Sequence, residues 1–244
     1  MASCDAVSLD RNRGAKRARE ARAQLELHPL EPLPRLLDCV EQRAGLPVVV
    51  ATLADDVAGA CTSGPLLWVN GTQAAVRQRF TLAHELGHVW CAHDGHLAVD
   101  SFATLSGKTT TPHEVQANAF AAELLIPRAA LERLLPERRD PTLDEVVVLA
   151  ARYGTSALMT LYRLKQTGYA SAACVTAIAA AIDGGAHRTA FARLGCAPLE
   201  DRLGTLEQLP YLSAPLRAGR LAAVLRGDAE AEPALARAIG RLLR

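Results

Sequence analysis

His84-Glu85-Leu86-Gly87-His88 decides how this chain is read. On a helix, the spacing H-E-x-x-H sets two imidazoles four residues apart on one face, where both can reach a single zinc ion. It leaves the intervening carboxylate beside them to take a proton from water. The bland alternative is two solvated histidines flanking a surface glutamate. The surrounding sequence predicts a helix, because Val76, Phe80, Ala83, Gly87 and Trp90 or Cys91 recur at spacings of three and four and form one apolar stripe with the histidines to its side. Gly87 costs a helix about 1 kcal/mol relative to Ala, which is tolerable where another backbone passes close by. Asn70-Gly71 and Asp94-Gly95 are turn dipeptides that bracket a helix of about five turns.

A hydrolytic zinc takes three protein ligands and keeps one position for water, so a third donor must come from elsewhere. His93, His96, His113, Glu114 and Glu123 are the candidates near in sequence. The longer pattern H-E-x-x-H-x-x-G-x-x-H fails, since Cys91 stands at its glycine and Asp94 at its third histidine. Glu114 is better placed. It begins a second helix over 111–125, closed by Ile126-Pro127, and Asn118 lies one turn along on the same face, where it can hydrogen-bond a zinc-bound imidazole and fix its tautomer. The competing use of Glu114 is a capping box, with Thr111 as N-cap and Pro112 at the first helical position. His113 is a lesser candidate, and His93 and His96 are assigned to the helix end and the loop after it.

The run Arg77-Gln78-Arg79-Phe80-Thr81-Leu82-Ala83-His84-Glu85-Leu86-Gly87-His88, followed by Glu114-Val115-Gln116-Ala117-Asn118-Ala119-Phe120-Ala121-Ala122-Glu123-Leu124-Leu125-Ile126-Pro127, resembles the ImmA/IrrE family of bacterial zinc metallopeptidases. The resemblance covers about residues 30–170, and both blocks are nearly intact. It implies a gluzincin-like site with His84, His88 and Glu114 as zinc ligands and Glu85 as general base. It also implies a substrate class, helix-turn-helix repressors whose cleavage relieves repression of stress or mobile-element genes.

Composition fits a protein of the cytoplasm. The 244 residues are 50% hydrophobic, enough for a catalytic core and a smaller module, and the formal net charge of +1 announces neither nucleic acid nor membrane as a partner. Cys4, Cys39, Cys61, Cys91, Cys174 and Cys196 form no C-x-x-C pair and are expected to be free thiols in a reducing compartment. The first 28 residues lack the apolar stretch of a signal peptide, and no apolar run reaches the ~18 residues a membrane span needs. Residues 11–22 are basic and alanine-bearing, and suggest a frayed helix or a tail, with nucleic-acid contact through phosphate as the alternative.

The expected fold is α+β and mainly α, a small zincin-like peptidase core with a short β-sheet followed by a helix-turn-helix-like pair and a helical C-terminal module. A basic tail occupies 1–28 and the zincin-like metallopeptidase domain 29–135. The latter holds a helix near 33–44, short strands at 46–53 and 66–70, and a further candidate strand at 57–61, and a sheet edge there can hold an extended peptide by main-chain hydrogen bonds. The paired helices fall within 136–170, at 143–153 and 157–165. The second of them offers a DNA reader only Thr160, Arg163 and Lys165, so scaffold or protein docking is expected rather than direct DNA binding. Residues 171–244 form the C-terminal module, with helical spacing at Leu221, Val224 and Leu225 and at Leu235, Ile239 and Leu242. The expected function is that of a zinc endopeptidase, with His113 and Tyr153 as candidate oxyanion donors. The alternative is a non-proteolytic regulator or repressor-binding protein whose structural zinc takes a fourth ligand from His93, His96 or Cys91.

Overall fold

A computed structural model describes residues 4–33, 35–62, 66–93, 98–101, 103–105, 109, 111–197, 211–213 and 216. The described elements are α1 (Cys4–Gln24), α2 (Leu36–Asp38) running into a π-helical turn at Cys39–Arg43, β1 (Val48–Ala51), β2 (Val57–Thr62), β3 (Leu66–Asn70), α3 (Ala75–Trp90), β4 (Ala98–Ser101), α4 (Pro112–Leu125), α5 (Arg128–Leu134), α6 (Leu143–Tyr153), α7 (Ala157–Gln166), α8 (Ala172–Asp183), α9 (Ala186–Arg193) and β5 (Tyr211–Leu212). This is the mainly helical α+β fold expected.

The sheet order is β4-β2-β3-β1-β5. β1 and β3 are parallel, and the other neighbours are antiparallel. β1 is the apolar run Val48-Val49-Val50-Ala51, buried throughout, as a strand covered on both faces must be. Its period-two alternation sorts the residues. Val48 and Val50 join Leu67 and Val69 against Leu82, Leu86, Phe120 and Leu124 of the helices, while Val49 and Ala51 pack with Ala60, Trp68 and Leu212 on the other face.

α3 lies under this sheet with α4 beside it. Gly87 allows the close approach: a Cβ there would stand 3.2 Å from both Cα and the carbonyl oxygen of Ala117. α4 is an alanine-rich helix with Ala117, Ala119, Ala121 and Ala122 buried, because it is covered on its other side as well. That cover is α1. Ala18 and Ala21 are fully buried in the main core, and a Cβ on Gly14 would meet the backbone of Gln116. The basic segment expected to be a frayed helix or tail is thus a docked helix, its arginines turned outward or used as bolts. Arg22 donates to the carbonyls of Leu124, His28 and Glu31 and so satisfies the end of α4.

α6 and α7 fall where the sequence placed them. Thr142 and Glu145 form a capping box, Gly154 takes the left-handed conformation (φ 63°) that ends α6, and Ser156 caps α7. Thr160 and Arg163 face inward: Thr160 bonds Thr155, and Arg163 pairs with Glu123 and donates to Ile126 O. Of the C-terminal stretch, α8 and α9 are helical as expected, but Tyr211–Leu212 is a strand beside β1, fastened where the Tyr211 hydroxyl donates to Glu41 and Val48 N donates to Ser213 Oγ. Leu221, Val224, Leu225, Leu235, Ile239 and Leu242 lie outside the described residues. No described helix is long and apolar enough to cross a membrane.

Candidate metal centre

α3 carries His84, Glu85 and His88 into the interior rather than along its flank, and all three are buried. The two Nε2 atoms face each other at 3.0 Å. Glu114 Oε2 comes from the first turn of α4 to 3.2 Å from His84 Nε2 and 3.6 Å from His88 Nε2. A fourth donor arrives from β4, where Asp100 Oδ2 stands 3.4 and 3.5 Å from the same two nitrogens. All four atoms lie within 4.8 Å of one another.

This arrangement fits a metal cation. Two imidazole nitrogens facing each other at 3.0 Å repel when both are bare, and a cation between them turns that repulsion into shared ligation. Glu114 Oε2 and Asp100 Oδ2 are buried with no hydrogen-bond partner. Buried polar atoms left so are costly unless something neutralises them. Donors around a tetrahedral zinc, with bonds of ~2.0–2.1 Å, are about 3.3–3.4 Å apart, and the five spacings above, from 3.0 to 3.6 Å, bracket that value. Two nitrogens and two carboxylates are also a donor set that zinc accepts.

Each imidazole is oriented from behind. Asn118 Nδ2 donates to Thr104 O at 3.0 Å, so its Oδ1 is the acceptor facing His84 Nδ1, also at 3.0 Å, and the proton of His84 sits on Nδ1. That leaves Nε2 free for a metal. His88 has its own support. Its Nδ1 lies 2.9 Å from His93 Nδ1, His93 Nε2 lies 3.3 Å from Gln116 Oε1, and Gln116 Nε2 donates to Asp10 Oδ1 of α1 at 2.8 Å. A single polarity satisfies the whole chain, with every donor pointing away from the metal side and the last acceptor a carboxylate. His93 is accordingly held neutral, its pKa lowered to about 4 by burial.

Glu85 is the other buried group. Neither of its oxygens has a hydrogen-bond partner, and burial, reinforced by the charge of Asp100, pushes its carboxyl well above the usual range. β2 crosses directly over it at Gly59, where a Cβ would stand 2.6 Å from Glu85 Oε1 and 2.8 Å from Trp68 O.

The remaining candidates fall away from the cluster. Thr111 makes no side-chain cap, so Glu114 is free of the capping box. Glu123 is paired with Arg163 and Arg19. His113 is exposed and stacks on His93, 4.3 Å between ring centroids. Tyr153 is in the core, its hydroxyl donating to Leu30 O. Burial raises the Cys91 thiol to about 11, which disfavours the thiolate a metal needs. His96 lies outside the described residues. Cys39, Cys61, Cys91, Cys174 and Cys196 are unbridged. Asp100 is the donor that sequence reasoning missed; its one local signal is an acidic residue in a strand, where aspartate is depleted.

Residues 43–165, half of the chain, match the peptidase family described as the IrrE N-terminal-like domain. The chain belongs to this family. It is 34% identical over 102 residues to the radiation response metalloprotease IrrE of Deinococcus radiodurans, covering 41% of this chain and 31% of that protein. With the protein of the same name from Deinococcus deserti it is 34% identical over 102 residues, covering 41% and 36%. The chain thus spans about a third of the length of these relatives. In this member of the IrrE-like family, His84, His88, Asp100 and Glu114 form a group that could hold a metal ion.

Proposed function

We propose that this chain is a zinc endopeptidase of the cytoplasm that cuts a helix-turn-helix repressor and so relieves repression of stress-response or mobile-element genes. The observation that carries the peptidase reading is Glu85, a wholly buried carboxylate with no hydrogen-bond partner, set beside four converging metal donors. Folding has no use for such a group, and proton transfer does. Kinship with proteins named radiation response metalloproteases supports the same reading and suggests the stress connection.

His84, His88 and Glu114 hold the zinc, and Asn118 and His93 keep the two imidazoles turned toward it. Zinc bound there supplies Lewis acidity, acidifying water and drawing charge from the scissile carbonyl. Glu85 accepts the proton of the attacking water and returns it to the leaving amine. Its raised pKa suits a group that must do both. A substrate reaches a site beneath a sheet only as an extended chain, so the scissile bond lies in an exposed or locally unfolded segment of the repressor.

A second reading, a non-proteolytic regulator or repressor-binding protein with a structural zinc, is favoured by one observation: Asp100 completes four protein donors. Co-expression of the wild type or Glu85→Gln with candidate repressors, with products read by mass spectrometry, separates the two. The expected result is repressor fragments with the wild type and none with Glu85→Gln, both proteins carrying about one zinc per chain. Intact repressors in both cases, with repression relieved equally, decide for the second reading.

A further inference from the structure

We propose that Asp100 is a displaceable fourth metal ligand, carried on an edge strand that stands where a substrate peptide would pair. The proposal rests on the peptidase reading above and concerns the regulation of that site.

Among the described residues β4 is the outermost strand at the β2 end of the sheet, four residues long and paired on one side alone. It runs antiparallel to β2 with Asp100 opposite Gly59 and Ser101 opposite Val57, and the register shifts between Val57 and Gly59. Gly59 is the point at which β2 crosses Glu85. Whatever residue pairs opposite Gly59 therefore lies next to the base and the metal donors. In this structure that residue is Asp100, 3% exposed, its Oδ2 against both imidazoles and without any hydrogen-bond partner.

An extended peptide held by main-chain hydrogen bonds uses an unpaired strand edge. The edge of β2 that faces Glu85 and the donor cluster is already used by β4. A substrate pairing there takes the ladder of β4, and its residue opposite Gly59 takes the place of Asp100. The two therefore exclude each other twice, once for the backbone of β2 and once for the fourth position of the cation. A catalytic zinc keeps that position open, and four protein donors close it. Chain and substrate thus compete for one site, and the resting protein is held closed by its own strand. Displacing a four-residue edge strand opens the ladder and the metal in one movement.

Asp100→Ala and Asp100→Asn test this in the full chain, the second variant keeping side-chain size and polarity. The cobalt(II)-loaded proteins are titrated with azide, a small anion that takes an open metal position, and followed by visible absorption. Chelator competition gives metal affinity, and hydrolysis of an unstructured casein-derived peptide mixture is measured per bound metal. Three changes of differing sign are expected in both variants: metal held at least ~10-fold more weakly, by comparison with the ~10–100-fold that loss of an outer-shell partner costs, azide bound more tightly, and hydrolysis per bound metal increased. Unchanged azide binding and metal affinity, with cleavage by the wild type, overturn the assignment of Asp100 and leave the peptidase reading standing. Weaker metal and tighter azide with less hydrolysis per bound metal make Asp100 a contributor to cleavage and overturn its inhibitory role. Tighter azide with no cleavage by any of the proteins overturns displacement and the peptidase reading together.

Discussion

Glu114 Oε2 lies 3.2 Å from His84 Nε2, while Thr111, three residues before it, makes no side-chain cap on the helix the two residues begin. The same T-x-x-E spacing at Thr142 and Glu145 forms a complete capping box on α6. One local pattern therefore has two outcomes, decided by what faces the glutamate: solvent and Arg139 at Glu145, two buried imidazoles at Glu114. Glu114→Gln is expected to weaken metal binding sharply and leave helix content unchanged, whereas Glu145→Gln leaves metal binding alone. Chelator titration with circular dichroism checks both. Unchanged affinity in Glu114→Gln removes it from the ligand set.

Asn118 acts on His84 by fixing which nitrogen bears the proton. Asn118→Ala keeps the helix and removes that constraint, so metal affinity should fall ~10–100-fold, the usual cost of losing a group that orients a ligand. Asn118→Asp, which still accepts from His84 Nδ1, should recover most of it. Equal loss in both variants means the Asn118 amide matters through Thr104 instead.

Glu123 was a candidate ligand on sequence alone, and the structure gives it to Arg163. Both side chains are nearly inaccessible, at 3% and 6% exposure. Removing one partner of a buried pair strands the other charge, at a cost of about 3–5 kcal/mol. Glu123→Ala should therefore lower the melting temperature strongly while the folded protein still binds one metal per chain. Loss of metal without loss of stability contradicts this placement.

Metal and protons compete for the same nitrogens. In the metal-free chain burial acts to lower the pKa of His84 and His88, but their contacts with Asp100 and Glu114 outweigh it and raise each to about 9. The imidazoles in turn hold both carboxylates below their usual range, against the effect of burial. A histidine whose folded pKa lies above its ordinary 6.5 adds stability that is fully present below pH 6.5 and is lost as pH rises through about 9. Metal-free protein should accordingly lose stability across that window, and metal-loaded protein should lose much less because the cation replaces the protons. At neutral pH metal binding should also release protons, seen as a dependence of the binding heat on buffer ionisation enthalpy. Parallel melting curves with and without chelator across this range contradict the coupling.

His84, Glu85, His88, Glu114 and Asn118 were legible in the sequence because each belongs to a spacing within one helix, and helical spacing translates directly into shared faces. The strands β1 and β3 were legible as short apolar runs bounded by turn residues. Asp100 was not, because it reaches the cluster through strand pairing with residues some 40 positions earlier, and no local pattern records that partner. The docking of α1 was hidden for a different reason. Its buried contact with α4 is made by Gly14, Ala18 and Ala21, small residues chosen for close approach, so a helix that packs tightly carries almost no hydrophobic stripe.

Gly59 offers the sharpest test of how β2 and the motif helix share space. A Cβ there would press on the Thr81 methyl, stand 2.6 Å from Glu85 Oε1 and stand 2.8 Å from the carbonyl of Trp68 on the paired strand. None of these neighbours is the free end of a flexible surface chain, so strand or helix must shift. Gly59→Ala should cost about 1–3 kcal/mol, the range for overpacking a filled core. Gly184→Ala, where the nearest atoms beyond its neighbours are 3.5 Å or more from the added carbon, should be close to neutral. Because the three atoms nearest the added carbon belong to Thr81, Glu85 and Trp68 and none to a metal donor, metal content should persist in Gly59→Ala while any activity that depends on the position of Glu85 falls. Melting curves and elemental analysis of the two variants check the first half, and equal stability in both means that β2 does not press on Glu85 as described.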